Sequence, residues 1–562
     1  MKSASEPTRE PDSAIDEKLH IDGREVAIEH TSSDFDAEVA SKTLSLRGFW
    51  LKAALTFVSG TGFALFGYDE GVMSALLTAG QFEKMFPEVV VDASHPNHAT
   101  LQSLVAAIYE VGCLVGALSN LWIGDRLGRR KTIALGGTIM IIGAILQTAS
   151  YSYAQLVVAR IITGLGNGLN TSTVPTYQAE CSPSGQRGGF IMLQGSLVTF
   201  GVTISYSKSN SSAQWRVPIS IQIVFALIMV VSIGFLPESP RWLMKHGHEA
   251  EAMAVISAFE DKPPSDPGVQ LTFHAIREAV EKEGRVTPPT NHKISEHKTA
   301  IDKGGDNVSL KELFGGGRSQ NARRVVLAFT SQCFQQITGI NVVILYTILF
   351  QNLGLSDVDS RIVAASMGTQ YFLFSLLAIA LIDRVGRRRL MLFGASGLCI
   401  VMLLLGVLGS IANKAANTAG VVLIFIYLDI FSLGWLGMTW LYPAEISGLR
   451  IRAQSTSLST ASNWIFNFVV VMVTGPSFNN ISWRTYIVFA ALNAFIVPCV
   501  YFFFPETSGR SLEDVDVIFA LAHNEGVSPV TVSLRKDVPL AGTPEADRIL
   551  GIEPRTTRNG VE

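Results

Sequence analysis

The chain has 562 residues, of which 48% are hydrophobic and 16% are charged, and its formal net charge is −3. The mean hydropathy of +0.32 is too high for an ordinary soluble protein and favours a membrane protein. No basic patch indicates nucleic-acid binding, and the five cysteines lack the paired spacing of a metal site. The composition therefore predicts a partner in the lipid bilayer, and no nucleic acid, metal or cofactor.

The N-terminal residues 1–48 are polar and charged, without the basic-then-apolar pattern of a cleaved signal peptide. This composition predicts a disordered cytoplasmic tail. The first apolar run begins near Phe49 and is long enough to stay in the membrane as an uncleaved anchor.

Twelve apolar stretches follow, each long enough to cross about 30 Å of hydrocarbon as a helix. In the first half they run roughly over 50–76, 101–122, 133–150, 153–172, 189–207 and 217–236. In the second half they run roughly over 324–350, 362–382, 390–410, 420–441, 455–475 and 484–503. The predicted domains are a six-helix bundle over 49–240, a cytoplasmic linker with helices over 241–323, a second bundle over 324–507 and a cytoplasmic C-terminal tail over 508–562.

The two halves share a repeated motif. The sequence GDRLGRRK at 124–131 returns as DRVGRRR at 383–389, and PES at 237–239 returns as PET at 505–507. Glu180 and Arg187 have counterparts at the same spacing, Glu445 and Arg452. Because each half has an even number of spans, the halves insert in the same orientation as parallel repeats, which is typical of transporters that rock around a central site.

The basic residues predict the orientation in the membrane. They cluster at one end of the spans, around 126–131, 384–389, Arg187 and 450–452. By the positive-inside rule this end is cytoplasmic, together with both termini and the linker.

Further motifs occur in a fixed order along the chain. They are Arg160 with Gly164-Leu165-Gly166, PTYQAECSPSGQRG at 175–188, PESPRW at 237–242, QQITGIN at 335–341 and PETSGR at 505–510. Over about residues 50–515 the ordered set resembles the sugar porter branch of the major facilitator superfamily. GYDEGVMS at 67–74 and YPAEI at 442–446 are most similar to fungal sugar and polyol porters, with the glycerol–proton symporters as the nearest group.

This resemblance implies an all-α membrane protein with twelve transmembrane helices in two pseudo-symmetric six-helix bundles. It implies a secondary active transporter of a sugar or polyol that works by alternating access, as a monomer in the plasma membrane. A facilitative carrier without proton coupling is the first alternative, and a non-transporting nutrient sensor is the second. The sequence has no nucleophile elbow or phosphate loop, so an enzyme is not expected.

Few ionisable residues fall in the interior of the predicted spans, and they are Asp69, Glu70, Glu110, Arg160 and Asp429. Such residues are costly in hydrocarbon and indicate functional sites. Asp69 lies near the outer end of its span, and Arg160 lies roughly 10 Å in from the same side, so the two can neutralise each other. Glu110 or Asp429 could also pair with Arg160, and the pair could be purely structural. The resemblance implies that Asp69 couples transport to protons, because proton symporters of the family carry an aspartate there.

Amide side chains in the fifth and seventh spans suit a substrate with many hydroxyl groups: Gln194, Gln335, Gln336 and Asn341. A straight helix would place residues 335 and 341 about 120° apart, so Gly339 is expected to break the helix and let them converge. The alternative is that these amides join neighbouring helices.

The resemblance assigns roles to further residues. It implies substrate contacts at Gln194, Gln335, Gln336, Asn341, Trp440, Asn463 and Phe66, and an outer gate at Tyr346. Trp464, beside Asn463, could equally be a packing residue or part of the wall. Leu345 stands where an aromatic residue is usual and Tyr371 where an asparagine is usual, which argues against a typical hexose fit.

The repeated motifs are expected to form a cytoplasmic gate that is closed when the carrier faces outward. Its predicted members are Asp125, Arg126, Arg129, Arg130, Glu180, Arg187 and Glu238 in the first half, and Asp383, Arg384, Arg387, Arg388, Glu445, Arg452 and Glu506 in the second. The basic residues could instead be topology signals alone, but that alternative does not explain why the acids repeat as well.

Overall fold

The computed structural model describes residues 18–21, 24–27, 33–77, 79–90, 98–181, 211–285, 310–344, 357–411, 413–448, 450–541 and 543–551. Within these ranges the protein is almost entirely helical. The only strands described are β1 (Lys18–Ile21) and β2 (Arg24–Ala27), which pair antiparallel in a short hairpin near the N-terminus.

The first half begins with the short helix α1 (Ser33–Ser41). Its long helices are α2 (Gly48–Leu76), α4 (His98–Leu127), α5 (Arg129–Thr148), α6 (Tyr153–Cys181) and α7 (Ala213–Ile233), with the short α3 (Gly80–Met85) after α2. Between the halves lie α8 (Pro240–Lys245), α9 (Glu249–Glu260), α10 (Pro267–Arg285) and α11 (Leu310–Leu313). The predicted fifth span, 189–207, lies outside the described residues.

The second half contains α12 (Asn321–Ile337), α13 (Ile340–Ile344), α14 (Asp357–Val385), α15 (Arg387–Ile411), α16 (Lys414–Phe431), α17 (Met438–Ile446), α18 (Arg452–Ile481) and α19 (Arg484–Phe503). A π-helical turn, Ser432–Leu436, joins α16 to α17. Three short helices end the described chain: α20 (Leu512–Glu525), α21 (Pro529–Ser533) and α22 (Pro544–Leu550).

Nine helices in the described part of the chain are long and apolar enough to cross a membrane. α6 and α12 are not among them, although both occupy predicted spans. α6 buries Arg160, Asn167 and Asn170, and α12 buries Gln332 and Gln335 together with further polar groups. Polar side chains at such positions indicate helices that face the interior of the bundle rather than lipid.

The packing of α4 against α6 depends on small residues. Gly112 and Gly116 of α4 face Gly164 and Gly168 of α6, which is the small-xxx-small spacing of close helix pairs. A Cβ on Gly164 would lie 2.1 Å from the carbonyl oxygen of Tyr109. α6 also packs on α5. The close approach that the glycines allow determines how near Arg160 of α6 lies to α4.

The interface between the two halves is formed chiefly by α18. It packs along α4 and also contacts α6, while α17 contacts α6 as well. Within the second half, α12 packs on α18 and α15 packs on α19 and α16.

The prediction of a disordered N-terminal tail is wrong for the described residues of that tail. α1 packs on α9, and its Phe35 ring lies 6.3 Å from the ring of Phe273 in α10. Nearby, Arg47 donates to the carbonyl oxygen of Lys262 at 3.0 Å and lies 3.6 Å from Asp261. The polar composition misled the sequence prediction because the apolar surface that orders this segment belongs to the linker helices.

The C-terminal helices have a small core of their own. Val517, Ile518, Val532 and Ala546 are buried together, and α20 begins with a capping box between Ser511 and Asp514. This segment is therefore folded rather than a simple tail.

Replacing Gly164 by alanine is expected to destabilise the protein. The new Cβ would force α4 and α6 apart because its three nearest neighbours are all backbone atoms of α4, and overpacking of this kind costs about 1–3 kcal/mol. The melting temperature of the purified protein in detergent measures the effect. Gly80→Ala is the matched control, since nothing lies within 4 Å of its added Cβ. Equal melting temperatures for the two variants would contradict the close-packing interpretation.

Candidate functional site

A buried ion pair lies between α2 and α6. Nη1 of Arg160 is 2.7 Å from Oδ1 of Asp69, and the side chains are 2% and 0% exposed. The same Asp69 oxygen accepts a hydrogen bond from Gln222 of α7 at 3.1 Å. The rest of the guanidinium donates to the carbonyl oxygens of Val105 and Ala106 in α4 at 3.3 and 3.2 Å. Four helices thus converge on a single acid–base pair.

The second oxygen of Asp69 differs from the first. Asp69 Oδ2 is buried and makes no hydrogen bond of normal geometry with a described residue, and neither does the Tyr109 hydroxyl, although these two side chains interact with each other. The Tyr109 ring lies under the guanidinium of Arg160, with Cζ 4.6 Å from the ring centroid. One oxygen is therefore held by cationic and amide donors, while the other has only the weaker interaction with the Tyr109 hydroxyl.

The structure decides which acid pairs with Arg160. Asp429, the first alternative, accepts a hydrogen bond from Gln370 at 2.7 Å within the second half. Glu110 is only 5% exposed, yet it forms no ion pair in the described part of the chain. Asp69 is the partner, as the depths of the two residues in the sequence predicted.

The predicted substrate amides of the second half lie in one network. Asn463 of α18 donates to Gln332 at 2.6 Å and to Gln335 at 2.8 Å. Asn341 donates to Gln336 at 2.6 Å, and Gln336 donates to Gln335 at 3.4 Å. Gln332 was not predicted, although it lies one helical turn before Gln335 on the same face.

Two breaks in helical geometry bring these amides together. Gly339 has φ +99 and separates α12 from α13, which confirms the expected break and lets Asn341 reach Gln336. The π-helical turn leaves the carbonyl oxygens of Trp435 and Leu436 available, and Gln335 donates to them at 3.1 and 3.2 Å.

An aromatic cluster connects the ion pair to the amide network. The Phe66 ring of α2 is 6.1 Å from Trp440 and 5.2 Å from Trp464, so it contacts the second half edge-on. Trp464 is in turn 6.1 Å from the ring of Tyr109, which lies under Arg160. Trp464 is fully buried, and its ring packs against both Phe66 and Tyr109 of the first half.

The end of the bundle that carries the two repeated motifs is called the motif face below. In the first half, Arg129 makes a bidentate contact with Glu180, with both N–O distances 3.0 Å, and lies 3.5 Å from Asp125. In the second half, Arg387 contacts Glu445 at 3.2 and 2.9 Å and Asp383 at 2.8 Å. The sequence repeat is therefore also a repeat of side-chain geometry.

Glu238 has a different role from the one expected. Its carboxylate accepts hydrogen bonds from the backbone N–H groups of Arg129 and Arg130 at 3.0 and 3.2 Å, so it caps the start of α5. Gly128 has φ +83, and a Cβ there would lie 2.6 Å from this carboxylate. Burial raises the pKa of the Glu238 carboxyl above its ordinary value, although the backbone donors act in the opposite direction.

Glu506 repeats this arrangement at the start of α15. It accepts from the backbone N–H groups of Arg387 and Arg388 at 2.9 and 3.1 Å, and Gly386 has φ +98. Two of the predicted gate acids thus act on helix termini rather than on guanidinium groups.

Contacts between the halves close the motif face. Asn120 of α4 donates to Ser457 at 3.1 Å, and the hydroxyl groups of Thr176 and Thr456 are 3.1 Å apart. Arg241 of α8 reaches Glu513 of α20 at 2.6 Å, so the C-terminal helices take part in the closure.

Comparison with known proteins identifies the chain. A profile of the family described as "Sugar (and other) transporter" matches residues 54–519. The chain belongs to the sugar transporter family. It is 37% identical to "Sugar transporter STL1" of Saccharomyces cerevisiae over 89% of this chain and 87% of that protein. It is 39% identical to "MFS-type transporter oryC" of Aspergillus oryzae over 84% and 86% of the two chains.

Solved structures agree with this family assignment. The proton:xylose symporter XylE bound to 6-bromo-6-deoxy-D-glucose matches with a TM-score of 0.70 and 23% identity, over 84% of this chain and 99% of XylE. The inward-open conformation of XylE from E. coli matches with a TM-score of 0.60. The likeness confirms the predicted fold of twelve transmembrane helices in two bundles. The protein is a multi-pass membrane transporter and not an enzyme.

Some predicted gate residues of the transporter are placed differently. Arg452 donates to the carbonyl oxygen of Ser447 at 3.3 and 3.2 Å and forms no salt bridge within the described ranges, because Glu445 is already held by Arg387. Arg126 and Arg384 are exposed, which suits a role as topology signals. Three further predicted residues lie outside the described ranges: Gln194, Arg187 and Tyr346.

The second arginine of each motif contacts backbone. Arg130 donates to the carbonyl oxygen of Gly234, and Arg388 donates to that of Tyr501 at 2.7 Å. Tyr371 is buried in the second half with its ring 6.4 Å from Phe431. Gln222 and Tyr109 were missed as site residues, although a glutamine inside the apolar sixth span is itself a signal.

Replacing Glu180 by glutamine is expected to open the motif face. The variant leaves the buried Arg129 with only the more distant carboxylate of Asp125 at 3.5 Å. Breaking a buried pair costs about 3–5 kcal/mol, enough to change the majority conformation. Spin labels at the exposed positions Arg126 and Arg384, in a background without the partly exposed native cysteines, should report a longer distance.

The matched control is Glu525→Gln, which removes an exposed ion pair with Arg535 and should leave the distance unchanged. An unchanged distance in the Glu180 variant would contradict a gating role for this contact.

Proposed function

We propose that the transporter moves a sugar or polyol together with protons, and that Asp69 carries the coupled proton. The observation that supports this most directly is the Asp69–Arg160 pair, which is buried yet has one carboxylate oxygen without a hydrogen bond of normal geometry to any described residue. A purely structural pair would be more stable with both oxygens bonded, since an unsatisfied buried polar atom costs about 1–3 kcal/mol.

Protonation of Asp69 would remove the charge that holds Nη1 of Arg160. The guanidinium would then be held only by two carbonyl oxygens and the ring of Tyr109. Because Tyr109 contacts Trp464 and Trp464 contacts Phe66, a shift of Arg160 would alter the wall between the ion pair and the amide network. This chain of contacts links proton binding to substrate binding.

The substrate site is proposed at the amides Gln335, Gln336, Asn341 and Asn463, against Phe66 and Trp440. Amides offer both donors and acceptors to hydroxyl groups, and the aromatic rings suit the apolar faces of a carbohydrate. The similarity to a yeast sugar transporter and to a proton:xylose symporter agrees with this class of substrate. Gln194 and Tyr346 stay predicted members of the site and its outer gate.

Alternating access would follow from rocking of the two halves about α4 and α18. The motif face is proposed to be cytoplasmic, with both termini on that side, and the membrane is proposed to be the plasma membrane. Its closed contacts correspond to a carrier that faces outward or is occluded. One chain supplies both halves of the pathway, which supports a functional monomer.

Asp69→Asn should abolish accumulation of substrate above the external concentration, because an amide cannot release a proton. Downhill exchange should remain. The measurement is uptake of labelled hexoses, pentoses, disaccharides and glycerol in yeast lacking its own carriers, with and without a protonophore. Asp429→Asn is the control, since Asp429 lies away from the ion pair and binds Gln370.

The same uptake assay separates the alternatives. Uptake that ignores the protonophore, together with full activity of the Asp69 variant, would favour a facilitative carrier and reject symport. Absence of uptake for every labelled compound would favour a sensor.

Asn463→Ala should raise KM for the transported compound about tenfold or more, because it removes a substrate contact and the hydrogen-bond donor of the Gln332 side-chain oxygen. The exposed Asn480→Ala should leave KM unchanged. A normal KM in the Asn463 variant would place the substrate elsewhere.

A further inference from the structure

The region around Arg160 holds more acid than base. Asp69 and Glu70 are adjacent on α2, and Glu110 lies on α4, but Arg160 is the one basic side chain that acts electrostatically on all three within the described residues. Its hydrogen-bonded contact is entirely with Asp69 and backbone carbonyl oxygens. The positive charge of Arg160 is therefore paired with Asp69, and the carboxyl groups of Glu70 and Glu110 have no cationic partner among the described residues.

Glu110 is the more unusual of the two. Its side chain is 5% exposed, and neither a hydrogen bond nor an ion pair is formed with any described residue. Its Oε2 atom is fully buried. An ionised carboxylate in such a place is penalised by several kcal/mol, so the group must be neutral or must share a proton.

Glu70 is placed to share that proton. It is the acid whose charge acts most strongly on Glu110. Its own Oε1 accepts a hydrogen bond from Asn467 of α18 at 3.2 Å, so it faces the second half of the molecule. Two carboxyl groups that interact in a medium of low dielectric constant resist ionising together, and they titrate as a pair.

We propose that Glu70 and Glu110 form a second proton-binding site, separate from Asp69, and that Asn467 ties this site to the second half of the transporter. The site lies on the three helices α2, α4 and α18, which meet at the interface between the halves. Loss of the proton would leave two negative charges, on Glu70 and Glu110, that repel each other. The proton therefore favours close packing of those helices.

The neighbouring titratable groups are consistent with one shared proton. Asp69 and Arg160 form a neutral pair, so they add little net charge. Tyr109 and Cys113 lie on α4 itself, and Tyr371 of α14 interacts electrostatically with Glu70. None of these three offers a positive charge to Glu110. A role of this proton in transport rests on the function proposed above, whereas the presence of the proton does not.

The test is infrared difference spectroscopy of the purified full-length protein in lipid vesicles at neutral pH. A protonated carboxylic acid gives a carbonyl stretching band that shifts in deuterated buffer. The wild type should show this band, the double variant Glu70→Gln/Glu110→Gln should abolish it, and each single variant should shift or weaken it, because the remaining carboxyl group keeps a proton without its partner. Both substitutions preserve size and shape, and melting temperatures check that the variants are folded.

Two further variants make the result decisive. Asp69→Asn and the exposed surface control Glu545→Gln should both keep the band. Retention of the full band in both the Glu110 and the Glu70 variants would overturn the proposal. Loss of the band in the Asp69 variant alone would overturn it as well, because the proton would then belong to the ion pair. The experiment requires no transported substrate, so failure of the proposed symport and failure of this inference are distinguishable.

Discussion

The low dielectric constant of the membrane interior governs how this transporter is built. Every charge in the bundle needs a partner, and Arg160 obtains Asp69 at 2.7 Å, two carbonyl oxygens and the face of Tyr109. To reach them, α6 must approach α4 closely, and glycines such as Gly164 and Gly112 allow that approach. The interior charge and the small-residue interface thus depend on each other. Without the glycines the guanidinium would be displaced from its carbonyl acceptors.

The two halves use one device at the motif face. In each, an arginine holds a glutamate from the end of a neighbouring helix, and a second glutamate caps the helix that the arginine begins. Gly128 and Gly386 turn the chain with positive φ so that the capping carboxylate can approach the backbone. This is why the acids and glycines of the motif repeat along with the basic residues. Topology signals alone would have required only the positive charges.

Much of the fold could be predicted from the sequence. The features that were not predicted depend on contacts outside the local sequence. Apolar length located the helices because a helix that crosses hydrocarbon must satisfy its own backbone. The break at Gly339 was predictable because two amides needed to converge. Gln332 was missed because it precedes the QQITGIN motif at 335–341. The N-terminal segment with Phe35 was predicted to be disordered because its packing surface lies more than 200 residues away on α10. Contacts between distant segments leave little trace in local composition.

The sequence by itself determined the twelve spans, the duplication, the family and the pairing depth of Asp69 with Arg160, since these follow from hydropathy, spacing and motif order. Only the tertiary structure decided which acid binds the guanidinium, that Glu238 caps a helix, and that Glu110 forms no hydrogen bond or ion pair with the residues the structure describes. Those choices depend on distances of a few ångströms between helices far apart in the chain. At that scale a carboxylate is either held by a donor or left to carry a proton, and residue order does not specify which.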